Sequence, residues 1–286
     1  FVGGGYIAFE FAHLAARAGA RVTILHRGVR PLQGFDPQAV DELVKVTREI
    51  GVDVALETMV ESVAREAGGI VVRARTRNGS RSFRAEAGVL AAGRAADIDR
   101  LSLQAGNVER SARGVKVNAF LQSTSNPKVY AAGDAADGGG LPLTPVAAYD
   151  GEIVAQNILE GNKRSVDTLG LASMVYTIPP LGTTGVSEET ARERGVAIDV
   201  RSGDMTGWYS TRHVAGRRAF YKVILERGSR AIVGATILGP HAEEQINVLS
   251  LAIRNGINAD AVASALYAYP TGSSDLEYML GRPVIG

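Results

Sequence analysis

Apolar residues in this chain follow two rhythms, and the two alternate along its first third. Residues 1–2 (FV) read as the end of a strand, Gly3, Gly4 and Gly5 as a tight turn, and residues 6–18 as a helix rich in small side chains that Gly19 stops. Residues 21–25 (RVTIL) are a short β-branched run of the kind buried in a parallel sheet. The opening therefore predicts a β-α-β unit. Residues 37–50 carry a helical period with Val40, Leu43, Val44 and Val46 near one side, and residues 52–56 read as the next strand. Polar and apolar positions alternate over 60–64, 69–76 and 80–84 around the Asn78-Gly79 turn, which predicts an antiparallel meander. Residues 89–92 return as a buried strand before Gly93.

The remainder divides into two stretches. One, about 111–166, holds a short strand at 129–132, the turn GDAADGGG and a helix from 144 to about 159, and is too small to stand alone. The other carries strand signals at 220–225 and 231–238, followed by helices at 242–255 and 259–266, which predicts an α+β arrangement. The expected fold is α/β: a Rossmann-like nucleotide-binding domain over 1–110, a partial domain over 111–168 and an α+β domain over 169–286.

Composition narrows the function classes. Length alone, at 286 residues, suggests about two domains or three small ones. With 31 basic against 30 acidic residues there is no global field to draw in nucleic acid or an anionic membrane. No apolar run approaches the roughly 20 residues a bilayer needs, so a soluble protein is expected. The chain has no cysteine, which excludes disulfides, thiolate metal sites and thiol chemistry by these residues. The start, FVGGG, has no basic n-region or cleavage site. A central strand supplies about 5 residues before such a turn. The chain is therefore expected to begin inside a strand, as a fragment of something longer.

The chemistry starts in the first turn. In G-x-G-x-x-A, here Gly3, Gly5 and Ala8, the first glycine permits the turn, the second lets backbone approach a pyrophosphate, and the small third residue lets helix pack on strand. The helix N-terminus then offers free N–H groups and a partial positive charge to phosphate. Sites for NAD place a carboxylate at the end of the second strand, on the ribose 2′-OH. Here that position runs into His26 and Arg27, with Arg30 beyond and no carboxylate before Asp36. Basic groups neutralise a 2′-phosphate that an acid would repel, so NADPH is expected over NADH. Further on, a strand ending in small residues and then Gly133-Asp134 sets a carboxylate where it can accept hydrogen bonds from sugar-like hydroxyls. Thr144-Pro145 suits a helix start.

Together these motifs resemble a known family. VGGGYIAFEFA is similar to the nicotinamide-domain motif of the flavin-dependent pyridine nucleotide-disulfide oxidoreductases, which include glutathione reductase, dihydrolipoamide dehydrogenase and mercuric reductase. LAAGR (90–94), VYAAGD (129–134), LTPVA (143–147), PLGTTG (180–185), HAEEQIN (241–247) and YPT (269–271) follow in that family's order. The resemblance implies a nucleotide domain over 1–110 left through Gly93, the second FAD segment over 111–168 and a dimerisation domain over 169–286. It implies FAD held by Gly133, by Asp134 on the ribityl chain, and by the helix that starts at Leu143 and Thr144. It places Tyr6 over the nicotinamide face of the flavin and pairs Glu10 with a lysine from an upstream segment, so that Glu10 is expected to lack that partner here. A cytoplasmic homodimer acting on a small-molecule acceptor follows, with no metal, nucleic acid or membrane partner.

The chain departs from the family at one point that bears on chemistry. Disulfide reductases of this kind carry His-Pro-Thr and then a glutamate, the histidine shuttling protons to thiols. Here the histidine position is Tyr269 and the glutamate position is Ser274, with Asp275 next. A phenol is a poor general base at neutral pH, which would cost about 10²- to 10⁴-fold in proton transfer. Tyr269 is thus a doubtful catalytic residue beside Glu10. Two readings follow: an enzyme passing hydride from NADPH to FAD and on to an acceptor, or a non-catalytic nucleotide-binding and dimerisation module. Of the remaining histidines, His13 is expected to be a surface or packing residue, His213 solvated and His241 a cap or interface residue.

Overall fold

The structure, a computed structural model, describes residues 1–281; the end of the expected 169–286 domain, residues 282–286, lies outside the described residues. The chain forms two compact units, one made of Phe1–Ala92 with Leu169 onward, the other of Gly93–Thr168.

The first unit opens as the pattern predicts. Helix α1 (Tyr6–Arg17) buries Ala8, Phe9, Ala12 and His13, two of them small enough to bring it close to its neighbours. Strand β1 (Thr23–Leu25) follows. Helix α2 (Pro37–Glu49) starts at an Asp36 cap with proline behind it and buries Ala39, Val40, Leu43, Val44 and Val46. Strand β2 (Asp53–Ala55) lies parallel to β1, with Ile24 opposite Val54. On the far side of β1, Val2 bridges Leu25 and also Leu90, both in parallel. The return at 89–92 is thus reduced to one bridge and is not the buried strand expected, since only Val2 pairs with it and Val89 and Leu90 are exposed while Ala91 alone is covered. Strands β3 (Met59–Glu66), β4 (Gly69–Thr76) and β5 (Gly79–Ala85) make the expected meander, with a register shift between Val60 and Ser62.

The second unit packs Ile98, Val108 and Val115 with Val117, Val129 and Ala131. Strand β6 (Val115–Lys116) pairs in parallel with β7 (Ala136–Asp137), and helix α3 (Thr144–Glu160) follows. The strand expected at 129–132 is not continuous. Tyr130 makes only an isolated bridge to Gln122, since the chain bends at once into a 3₁₀ turn over Gly133–Ala135 and the paired backbone falls after it. At the far end of α3, buried Asn157 donates to the carbonyls of Phe120 and Arg164 and accepts from the N–H groups of Lys163 and Arg164, which fixes the exit from the helix.

The chain then rejoins the first unit as β8 (Ala172–Val175), β9 (Leu181–Gly185), α4 (Glu188–Glu193), β10 (Ile198–Asp204), α5 (Tyr209–His213), β11 (Phe220–Glu226) and β12 (Ile232–Leu238). Three helices close it: α6 (Ala242–Arg254), α7 (Ala259–Ala263) and α8 (Leu276–Leu280). The five strands form one antiparallel sheet in the order β10-β11-β12-β9-β8. Ile246, Leu249 and Ala252 of α6 pack on Val223, Ala235 and Ile237 of that sheet. Helix α7 is shorter than the sequence suggests, ending where the Tyr267 hydroxyl turns back to donate to the Val262 carbonyl. The mixed helix-and-sheet architecture agrees with the fold class expected from the sequence.

One core joins the two ends of the chain. Phe9, Ile24, Val40 and Leu43 share a buried cluster with Val175, Leu181 and Leu238. A buried ion pair reinforces it. Asp36 accepts at one carboxylate oxygen from the N–H groups of Gln38 and Ala39, and at the other from Lys222 Nζ at 2.6 Å. Lys222 is 7% and Asp36 9% exposed at the side chain. Arg218 adds bonds to Glu42 and Glu49 of α2. Removing one member of a buried pair strands the other charge, at a cost of about 3–5 kcal/mol. Lys222→Met is therefore expected to lower the unfolding free energy in urea by about 3 kcal/mol. Adding Asp36→Asn, which keeps a cap but removes the charge, should recover part of that loss. A double variant no more stable than Lys222→Met would contradict the assignment.

Candidate functional site

The three glycines of the opening turn meet three different surroundings. Gly3 has φ +129°, and a Cβ there would overlap the Ala91 carbonyl; its own N–H donates to Leu25 O at 2.9 Å. The glycine thus lets two neighbouring strands close over the turn. Gly4 is covered by the His26 ring. Around Gly5 there is no atom within 4 Å of where a Cβ would sit, so the backbone entering α1 is bare. Helix α1 has no side-chain cap and no acid in its first turn. Its first N–H groups and its dipole therefore face open space, which suits an anionic group brought close to backbone. Ala8 is fully buried, and Tyr6, at the first helical position, is 40% exposed.

The basic loop after β1 is more structured than the sequence suggests. His26 Nε2 lies 3.0 Å from Arg30 O, so that nitrogen carries the proton, and the ring lies against Gly4 and Gly28. His26 shapes the loop. Arg30 faces Asp41 of α2 through two bonds of 3.0 and 3.4 Å, and this carboxylate raises its pKa above the ordinary guanidinium value. Arg27 is exposed and makes no hydrogen bond or ion pair among the described residues.

Two side chains of α1 clasp the start of the antiparallel sheet. Glu10 Oε1 accepts from the Tyr176 N–H at 2.8 Å, so it does have a partner within this chain. His13 is 1% exposed and bonds in two directions. Thr47 Oγ1 donates to Leu43 O at 2.7 Å and so must accept from His13 Nε2 at 3.0 Å. That leaves His13 Nδ1 bare to accept the Ile178 N–H at 3.3 Å. This tautomer is neutral. Burial first, and the neighbouring Arg17 second, lower the His13 pKa from 6.5 to about 4.

In the second unit, Asp134 is exposed within the Gly133–Ala135 turn and makes no hydrogen bond among the described residues. Gly133, at φ +56°, lies so near α3 that a Cβ would come 2.7 Å from the Ala147 methyl. Its N–H donates to Asp150 Oδ2 at 3.0 Å, while Asp150 Oδ1 is buried without a partner. Asp150 was not expected from the sequence; its only signal was an acid one turn after LTPVA, on the helix face that buries Val146 and Ile153. Helix α3 begins at Thr144 after an uncapped Leu143, again with no acid in its first turn. By contrast α2 is capped by Asp36, and α6 carries Glu243 and Glu244 in its first turn. Both helices that follow the glycine motifs thus start bare, as does the five-residue α5, and the residues present fit a nucleotide at the first and a polar hydroxylated chain at the second. Gly93 is exposed. Among the described residues no group of three or more His, Asp or Glu could hold a metal, and no helix is long and apolar enough to cross a membrane.

At the C-terminal signature the Tyr269 ring is 73% exposed and lies 6.1 Å from that of Tyr209. Neither Ser274 nor Asp275 serves it. Ser274 forms a capping box with Thr271, and Asp275 is buried, bonded by the Ser210 hydroxyl. Burial raises the Asp275 pKa, against the opposing effects of the Ser210 bond and of His241. His241 starts α6 in a left-handed conformation, φ +62°, and makes no side-chain cap there; its ring packs over Gly272 instead. His213 is exposed beside Tyr209, and Trp208 packs against Tyr221 and Tyr278.

Comparison with known proteins bears on the whole chain. Residues 1–151 match the profile of pyridine nucleotide-disulphide oxidoreductases, and residues 171–280 match the dimerisation domain of the same group. A dihydrolipoyl dehydrogenase from Staphylococcus aureus is 31% identical over 94% of this chain and 57% of its own length. An uncharacterised 19.7 kDa protein in a mercuric resistance operon of Staphylococcus aureus is 42% identical over 63% of this chain and all of its own length. The Cu(II) complex of the HOCl-induced flavoprotein disulfide reductase RclA from Escherichia coli superposes with a TM-score of 0.86 at 27% identity, over 98% of this chain and 62% of that one. The chain thus spans about three fifths of the dehydrogenase and of the reductase.

The His13 geometry makes stability depend on pH. Protonation would turn Nδ1 from acceptor into donor against the Ile178 N–H, so the unfolded chain takes up this proton first. Unfolding free energy is expected to hold above the ordinary value of 6.5, fall as pH drops toward about 4, and level off below, by up to about 3 kcal/mol from this residue. In His13→Gln that component should vanish from urea titrations run across the same range. An unchanged pH slope in the variant would rule out His13 as its source.

Proposed function

We propose, from the premise that this chain belongs to the class I pyridine nucleotide-disulphide oxidoreductase family, that it forms the NADPH-binding, second flavin-binding and dimerisation portions of an FAD-dependent oxidoreductase acting as a homodimer. The observation that carries this reading is the bare start of α1 beside the open backbone of Gly5. In this reading residues 1–110 bind nucleotide, 111–168 complete one side of the flavin site and 169–286 form the dimer-facing domain. When bound, the flavin supplies two-electron transfer between reduced nicotinamide and an acceptor.

This chain's own residues bind and orient. The N–H groups of Gly5 and of the first turn of α1 take the pyrophosphate, with Gly3 and Ala8 allowing the close packing behind them. Arg27 takes the 2′-phosphate. His26 holds the loop in shape, and Arg30 joins when it leaves Asp41, an exposed partner that competes weakly with a phosphate. Gly93 leaves the nucleotide domain, and Tyr6 would cover the nicotinamide side of a bound flavin. Asp134 accepts from ribityl hydroxyls, held by the Gly133–Asp150 bond, while the N-terminus of α3 at Leu143 and Thr144 favours negative charge on the flavin edge. Glu10 keeps α1 aligned through its bond to Tyr176. Tyr269, with neither Ser274 nor Asp275 oriented on its ring, is a weak proton shuttle, which favours acceptors that do not need one over small disulfides such as glutathione disulfide.

Two measurements test this. Fluorescence titration should give Arg27→Glu a loss of NADPH affinity roughly tenfold greater than its loss of NADH affinity; equal losses would remove the 2′-phosphate argument. A preparation with flavin absorbance that bleaches on NADPH addition would support this reading. A colourless dimer that still binds NADPH would favour instead a nucleotide-binding and dimerisation module without turnover.

A further inference from the structure

The ring pair of Tyr209 and Tyr269 carries a second chemistry, independent of hydride transfer. The centroids are 6.1 Å apart with the planes tilted by 36°, so facing ring edges lie closer than the centroids. Both rings are open to solvent, at 55% and 73%. Tyr6, Tyr176 and Tyr278 are also exposed, but among the described residues none of them has a second tyrosine ring against it.

Each ring is positioned from its own side. Trp208, the residue before Tyr209, is held between Tyr221 and Tyr278 at centroid distances of 5.6 and 5.7 Å, and Ser210, the residue after it, is bonded to buried Asp275. Tyr269 sits at the head of a turn closed by Thr271, whose hydroxyl donates to Ala268 O at 2.7 Å, and by the capping box with Ser274. The two phenols therefore face each other without relying on their own contact to stay there.

We propose that Tyr209 and Tyr269 form an oxidative modification site, joined by a dityrosine bond when the protein meets a one-electron oxidant of the peroxidase type. Each phenol gives up one electron and one proton to become a phenoxyl radical. The two radicals couple through ring carbons ortho to oxygen, and the hydrogens on those carbons move to the oxygens to restore two phenols. In sum two electrons and two protons leave and one carbon–carbon bond forms; hydrogen peroxide takes them up and becomes two waters. The product ties α5 to the turn that bears Tyr269.

The test is to treat the full chain with a peroxidase and hydrogen peroxide, then follow the blue dityrosine emission and map linked peptides by mass spectrometry. One intramolecular product is expected, lighter than the two peptides together by two hydrogens, with fragmentation placing the link at Tyr209 and Tyr269. Tyr209→Phe and Tyr269→Phe should each abolish it while keeping the wild-type thermal midpoint, since each keeps its ring. Persistence of the emission in either variant, links only between chains, or oxidation confined to Trp208 would each overturn the assignment.

Discussion

The arrangement depends on one crowded crossing of backbone. Val2 lies between Leu25 and Leu90, bridged to both, and the chain must leave this narrow place and turn directly into a helix. Any side chain on Gly3 would strike the Ala91 carbonyl, and any on Gly4 the His26 ring. Only past that crossing does space open, at Gly5. The need for glycine is thus structural at two positions and an opportunity for a ligand at the third. Because the strand ends so close to the helix, the first N–H groups of α1 point outward at the edge of the sheet, and no side chain reaches back to satisfy them.

Local patterns recovered most of the elements because the forces that make them are local. The helical period over 37–50 reports the buried stripe of α2, and Asn-Gly reports the hairpin between β4 and β5. The glycine spacing was legible for the same reason: it encodes steric demands inside a few residues. What the sequence could not supply was pairing across distance. His13 could be placed on a helix but not matched with Thr47 and Ile178, and Glu10 could be assigned no partner because its partner is a backbone N–H far along the chain. Asp150 was missed since an acid inside a long helix reads as solvated unless the turn it supports is known to lie against it. The short strand at 129–132 failed in the opposite way: its apolar residues are buried, yet the following glycine bends them away from a ladder.

These long-range bonds explain why the first and last parts of the chain form one compact unit although another unit is inserted between them. An apolar core alone would tolerate sliding of α1 and α2 over the sheet. Directional bonds do not: Asp36 and Lys222 fix the start of α2 against β11, while Glu10 and His13 fix the middle of α1 against residues 176–178. Glu10 and His13 sit within about two turns of the bare start of α1, so its placement is set by contacts with the antiparallel sheet as well as by the parallel strands beneath it.

The same reasoning clarifies the region around Tyr269. A proton shuttle needs an imidazole and a carboxylate aimed at it, and its worth comes from that alignment. Here the carboxylate that follows the signature is aimed elsewhere, into a buried bond with Ser210, and the hydroxyl at the glutamate position caps a turn. Tyr269 therefore stands beside polar groups that are engaged elsewhere. Asp275 holds α5 in place through Ser210, and α5 in turn presents Tyr209 to Tyr269. A histidine placed at 269 would find neither Ser274 nor Asp275 free to direct it. The chemistry of this end of the molecule is consequently set by α5 and its anchor as much as by the signature residue itself.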